Sequence, residues 1–228
     1  MGRLYLKPST NEITYKTDSL EIQALCKADA RLALVIKHYG DLSYTPHPDP
    51  FAHTVENIIG QMLSNKAADA IATRLYKLCG GELTLASILR LDIPSLRSIG
   101  ISGQKAEYIM LMAELLHDKP DFFDTLVHLP DIEVIKKLTA LRGIGPWSAK
   151  MYLIFVLNRL DVLPYEDGAF LQSYKWLYET DNVKSPSIIE RCEMWKPYSS
   201  LAARYLYRAL DSGMTRNTDL RIALDELS

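Results

Sequence analysis

Apolar residues recur at intervals of three and four through most of the chain, the spacing that places them along one face of an α-helix. The pattern predicts a first helix over 20–38, with Ser19 or Asp18 as its cap and Gly40 as its stop. A second helical stretch over 51–81 closes at Gly80 and Gly81. It is interrupted at Gly60 and Ser64, so it reads as two helices with a functional or strained junction. Further helices follow around 85–91, 93–99, 105–116, 122–126, 131–141 and 147–158, and after a break at Pro164 around 170–178, 186–193 and 199–210. The segment YTPHPDP, 44–50, reads as a linker, because its three prolines remove donors and push their neighbours into extended conformations. Only RLYL and EITYK, near the N-terminus, alternate weakly like strands. The expected fold class is all-α, preceded by an N-terminal extension over 1–19 of strand-like character.

One phrase is written twice. LRGIGPWSAKMYLI, over 141–154, has a near-echo 45 positions earlier in LRSIGISGQKAEYI, over 96–109. In the later copy Gly143 and Gly145 permit left-handed or crowded backbone, and Pro146 suits the first position of a new helix. The phrase reads as helix, tight hairpin, helix, and the N-terminus of the second helix offers free N–H groups to an anion such as a phosphate oxygen. An ordinary antiparallel helix pair accounts for the same pattern. The earlier copy has Ser98 where the later one has Gly143, and is expected to pack more than bind. Asp167, twenty residues beyond Trp147, is a candidate catalytic carboxylate. An Asp before a helix also serves as a plain N-cap, and one side chain can do both.

Composition narrows the classes. At 228 residues, 48% hydrophobic and 24% charged, the chain has the make-up of an ordinary globular protein with room for one large or two small domains. A formal charge of −2 argues against a protein that coats nucleic acid non-specifically, a task driven by many Lys and Arg neutralising phosphates. Lys196, Arg204, Arg208, Arg216 and Arg221 leave room for a local basic face beside the plainer reading of solvated helix surface. Cys26, Cys79 and Cys192 are odd in number and far apart. They suggest neither a disulfide framework nor a sulfur-ligated metal, and fit a reducing, intracellular setting. The five histidines show no ligand spacing. No signal-like region is expected at the N-terminus, and no stretch approaches the roughly 20 apolar residues that span a bilayer, so no membrane partner is expected.

LRGIGPWSAKMYLI followed by DVLPYED resembles the helix-hairpin-helix, Gly/Pro-rich loop and catalytic Asp of the DNA glycosylase superfamily, nearest to its 3-methyladenine DNA glycosylase II branch. DPFAHTVENIIGQMLSNKAADAIATRL is similar to that branch's helix containing G-Q-x-x-S, LRSIGISGQKAEYIMLMAELL to its next helix pair, and WKPYSSLAARYLY to its W-x-P-x-R-S segment. The similarity runs over roughly residues 20–210. It implies two packed helical subdomains of the helix-hairpin-helix type within 20–228, a DNA-binding hairpin over 139–150 and a catalytic loop over 159–170. The implied activity is a monofunctional glycosylase of base excision repair, which flips an alkylated purine such as 3-methyladenine out of damaged double-stranded DNA and leaves an abasic site. The competing reading is a non-catalytic helix-hairpin-helix DNA-binding module. A monomer is implied, cytoplasmic and nucleoid-associated in a bacterium or nuclear in a eukaryote.

The resemblance carries roles residue by residue. Asp167 takes the catalytic carboxylate, with Glu166 a rival beside it. Trp147 stands where lyase members carry a Schiff-base lysine, which implies water as nucleophile. Trp147 and Tyr207 match aromatics of the base pocket, while Met151, with Tyr152 beside it, replaces a pocket tyrosine. Met62 matches the side chain that fills the vacated stack, against a plain reading as core filler. Gln61, Gly143, Gly145, Ser148 and Lys150 complete the implied DNA contacts. Backbone carbonyls of Thr139, Leu141 and Ile144 match ligands of a monovalent cation, sodium or potassium. No iron–sulfur cluster is expected, because four closely spaced cysteines are missing. Ser199 replaces the Arg of the C-terminal motif, which removes a structural ion pair or DNA contact.

Overall fold

The computed structural model describes residues 11–216, so RLYL and Arg221 lie outside the described residues. Among these residues the chain forms twelve α-helices, three short 3-10 turns and one two-stranded sheet, and divides into two compact units. No described helix is long and apolar enough to cross a membrane.

The first unit, described over 47–157, holds seven of these helices. They are α3 (Pro50–Gly60), α4 (Asn65–Leu78), α5 (Leu85–Leu89), α6 (Ile93–Ser98), α7 (Gly103–Asp118), α8 (Asp131–Thr139) and α9 (Pro146–Phe155). Their starts are written in the sequence: Asp49, Ser64, Thr84, Asp92 and Ser102 each accept a hydrogen bond from a backbone N–H of the turn they open. The apolar α9 packs against α8 and α3, and burial of Ala149, Leu153 and Ile154 makes it the centre of this unit.

The second unit, described over 11–46 and 158–216, contains β1 (Ile13–Tyr15), α1 (Leu20–Ala28), α2 (Ala30–Tyr39), β2 (Leu42–Tyr44), α10 (Gly168–Tyr178), α11 (Ser185–Cys192) and α12 (Ser199–Asp211). Its core gathers Phe170, Tyr174, Trp195, Leu201 and Tyr205 around α12, which packs on α10 and α2.

Several expectations need correction. The single helix over 20–38 is two, broken at Asp29, whose side chain caps α2 through the N–H groups of Arg31 (3.0 Å) and Leu32 (3.1 Å). Periodicity runs through this break because the buried positions, Ile22, Leu25, Leu32, Val35 and Ile36, keep helical spacing across it, so only the capping chemistry marks it. The linker over 44–50 is shorter than expected. Tyr44 ends a strand paired antiparallel with β1, and Pro50 is already helical, at the first position where its missing N–H costs nothing. The strand-like reading of EITYK holds as β1, whereas its three-residue partner β2 is too short to show alternation and was missed. The segment expected to be helical over 122–126 is a 3-10 turn, Asp124–Leu126. Among the described residues, three of the late basic side chains are engaged with neighbours. Arg204 is buried with its guanidinium 3.5 Å over the Tyr44 ring, Arg208 lies over Tyr39, and Lys196 pairs with Glu193.

Candidate active site

The hairpin forms as α8 ends and α9 begins. Ile144 N–H donates to the Leu141 carbonyl at 3.1 Å to close the turn, and Pro146 opens α9 with Gly145 as its N-cap. The two glycines differ in kind. Gly143 has φ +87°, and a Cβ there would stand 2.2 Å from the Tyr108 ring on α7, so conformation and space both require glycine. Gly145 has φ −97°, and a Cβ built there meets nothing within 4 Å. Its bareness leaves backbone N–H groups at the start of α9 accessible to an anion. The two copies of the echoed phrase turn differently. In the earlier one the left-handed residue is Gly100, at φ +101°, which stands where the later copy has Gly145, and Ile101 N–H returns to the Leu96 carbonyl.

Around the hairpin the sequence candidates separate. Ser148 is buried, with its Oγ accepting from Gln61 Nε2 at 3.3 Å, and Gln61 also donates to the Gly143 carbonyl at 2.8 Å. Both side chains brace the hairpin from within. Trp147 and Lys150 are partly exposed on α9. Met151 and Tyr152 are core residues of this unit. Tyr152 stacks on Phe123 at 5.6 Å, and burial raises its phenol far above the usual range.

Met62 is not core filler, because its side chain is fully exposed. It sits at φ +59°, left-handed backbone that a residue with a Cβ rarely adopts, in a turn closed by Leu63 N–H to the Gly60 carbonyl at 3.1 Å.

In the second unit Asp167 is the N-cap of α10. Its Oδ1 accepts the Phe170 N–H at 2.8 Å, its own N–H donates to the Pro164 carbonyl at 2.9 Å, and it is 9% exposed. Glu166 is exposed. Tyr207 faces Asp167. Burial, then the charge of that carboxylate and a hydrogen bond to it, hold the Tyr207 phenol well above its ordinary range. Burial likewise pushes Tyr44 up to about 12 and brings Arg204 down to about 10. Ser199, in place of the expected Arg, is buried and donates its hydroxyl to Asp161 Oδ1. Residue reading passed over Lys105, Tyr108 and the Arg204–Tyr44 pair. Only Lys105 had a signal, since it occupies in the earlier copy the place of Lys150 in the later one.

A glycine hairpin opening a helix N-terminus, in an otherwise helical chain, defines the helix-hairpin-helix class. The family model described as HhH-GPD superfamily base excision DNA repair protein matches residues 55–198, and the chain belongs to that family. It is 26% identical over 191 residues to the alkylbase DNA glycosidase-like protein mag2 of Schizosaccharomyces pombe, covering 81% of this chain and 90% of that protein. It is similar to the solved DNA-3-methyladenine glycosidase of Bacillus halodurans, with 36% identity, a TM-score of 0.74 and coverage of 86% and 92% of the two chains. The 3-methyladenine DNA glycosylase of S. pombe, solved in complex with abasic DNA, has 26% identity, a TM-score of 0.74 and coverage of 84% and 96%.

Proposed function

We propose that the chain is a DNA-3-methyladenine glycosylase II-type hydrolase that releases alkylated purines from double-stranded DNA, with Asp167 as the catalytic carboxylate. The observation that carries the assignment of Asp167 is its fixing. A carboxylate nine-tenths buried, with one oxygen committed to the cap of α10, is preorganised before substrate arrives. Breaking the N-glycosidic bond sends its electron pair to the purine and leaves positive charge on the deoxyribose. The Asp167 carboxylate stabilises that charge near C1′ and accepts a proton from the water that attacks there. A purine carrying an alkyl group on a ring nitrogen is already cationic and leaves neutral, so it needs little help from a general acid. Trp147 offers a ring for stacking such a base, an attraction of about 0.5–2 kcal/mol.

The hairpin N–H groups, with Lys150, take a phosphate, and Met62 fills the space that the flipped nucleotide vacates. Thr139, Leu141 and Ile144 fit a monovalent cation by their donor type. Thr139 ends α8, and carbonyls at a helix C-terminus carry the negative end of its dipole. Bound there, the cation would supply charge to a DNA phosphate. The enzyme is read as a monomer acting where the genome lies, in bacterial cytoplasm or a eukaryotic nucleus. Trp147 supplies no amine, so the product is an intact abasic site. Lesion-bearing duplex treated with the enzyme should release free base and show strand breaks only after alkali. Cleavage without alkali, with a borohydride-trapped adduct lost in Lys150→Ala, would overturn the monofunctional reading.

A further inference from the structure

The turn that carries Met62 has a form its sequence does not favour. Gln61 at φ −52° and ψ 129°, followed by Met62 at φ +59°, is a type II turn, whose third position ordinarily requires glycine or asparagine. No glycine is there, so something else must hold the peptide between Gln61 and Met62 in its flipped orientation. Lys105, on the first turn of α7, does so. Its ammonium donates to the Gln61 carbonyl at 2.6 Å, the carbonyl of that central peptide, and to the Ile59 carbonyl at 2.8 Å near the end of α3. Burial lowers the Lys105 pKa, as expected of an ammonium drawn out of water to reach these oxygens. In a type I turn the central carbonyl would point the other way, Lys105 would lose that acceptor, and Met62 would return to negative φ. From the other side Gln61 is tied by its amide to the Gly143 carbonyl of the hairpin.

We propose that Lys105 is a positioning residue for base flipping. It locks the 60–63 turn in the type II form and thereby presents Met62 as a preset wedge. The proposal rests on the reading of Met62 as the residue that fills the vacated stack. It also gives the earlier copy of the echoed phrase a task, since its helix α7 holds the wedge while the later copy meets the backbone.

The test is a cycle of Lys105→Met and Met62→Ala, read by 2-aminopurine fluorescence in a lesion-bearing duplex, with thermal melts and binding to undamaged duplex measured alongside. Lys105→Met is expected to lower the flipping equilibrium about tenfold while leaving the melt and undamaged-DNA affinity near wild type. The double variant is expected to be no worse than Met62→Ala alone. Normal flipping in Lys105→Met beside a defective Met62→Ala overturns the role of Lys105 and leaves the wedge standing. Normal flipping in Met62→Ala overturns the wedge and the proposal with it. A Lys105 defect that persists in full without Met62 shows that the lysine acts elsewhere, which also overturns the proposal. If Lys105→Met does not fold, Lys105→Gln, with a neutral amide in place of the ammonium, is read in the same way.

Discussion

Gly143 and Gly145 stand two positions apart in one motif and predict opposite phenotypes. Gly143→Ala would force a Cβ into the Tyr108 ring and into left-handed backbone, so a loss of stability of about 2–4 kcal/mol is expected in chemical denaturation. Gly145→Val has open space and an ordinary φ, so it should melt near wild type and yet weaken binding to every duplex alike, because a phosphate contact carries no sequence information. Loss confined to particular sequences would contradict the anion site. The sequence showed that both glycines matter but not which does what, because the Tyr108 ring that crowds Gly143 comes from a helix 35 positions away. Asp167 was legible as cap and as carboxylate, and it is in fact the cap. Met62 could not be placed from spacing, because its exposure follows from a turn that apolar periodicity does not encode.

Helix boundaries were legible where the apolar periodicity is interrupted, as at Gly60 and Ser64, and were missed where it runs on through a cap. Asp29 is the clearest miss. Besides capping α2, its buried carboxylate accepts from the Tyr178 hydroxyl and from Trp195 Nε1 at 2.8 Å, linking α2 to α10 and to the turn after α11. Two sequence-distant donors converge on it beside the two local N–H groups, which no local pattern reveals. Asp29→Ala would leave those donors unpaired in the core, and a destabilisation of about 3–5 kcal/mol is expected in urea unfolding. A change below about 1 kcal/mol would mean that the network contributes little.

At the scale of the molecule, the all-helical class followed from periodicity. Division into two interleaved units did not, because the second unit draws on both ends of the described chain. Buried phenols in that unit contribute an alkaline limit of stability, as Tyr152 does in the first. In the fold Tyr44 and Tyr205 are pushed up to about 12, and Tyr207 is raised well above its ordinary value, whereas unfolded tyrosines ionise near 10. Their raised values mean that the folded state holds protons the unfolded state has lost, so stability is intact below pH 10 and falls as pH rises toward 12. Arg204, lowered to about 10, works the other way over the same range, but the tyrosines outnumber it. Melting temperature should therefore drop between pH 10 and 12. A flat profile there would contradict the burial of these phenols.

The claim that joins the scales is that Asp167 supplies the charge that makes base loss fast. It is tested most directly by single-turnover release of 3-methyladenine from methylated duplex by wild type, Asp167→Asn and Glu166→Gln. Asn keeps the shape and a cap oxygen but not the charge. Asp167→Asn is expected to fold and bind DNA normally while releasing base about a hundredfold or more slowly, with Glu166→Gln close to wild type. Near-normal release by Asp167→Asn would contradict the account, and a collapse in Glu166→Gln instead would move the chemistry to the neighbouring carboxylate.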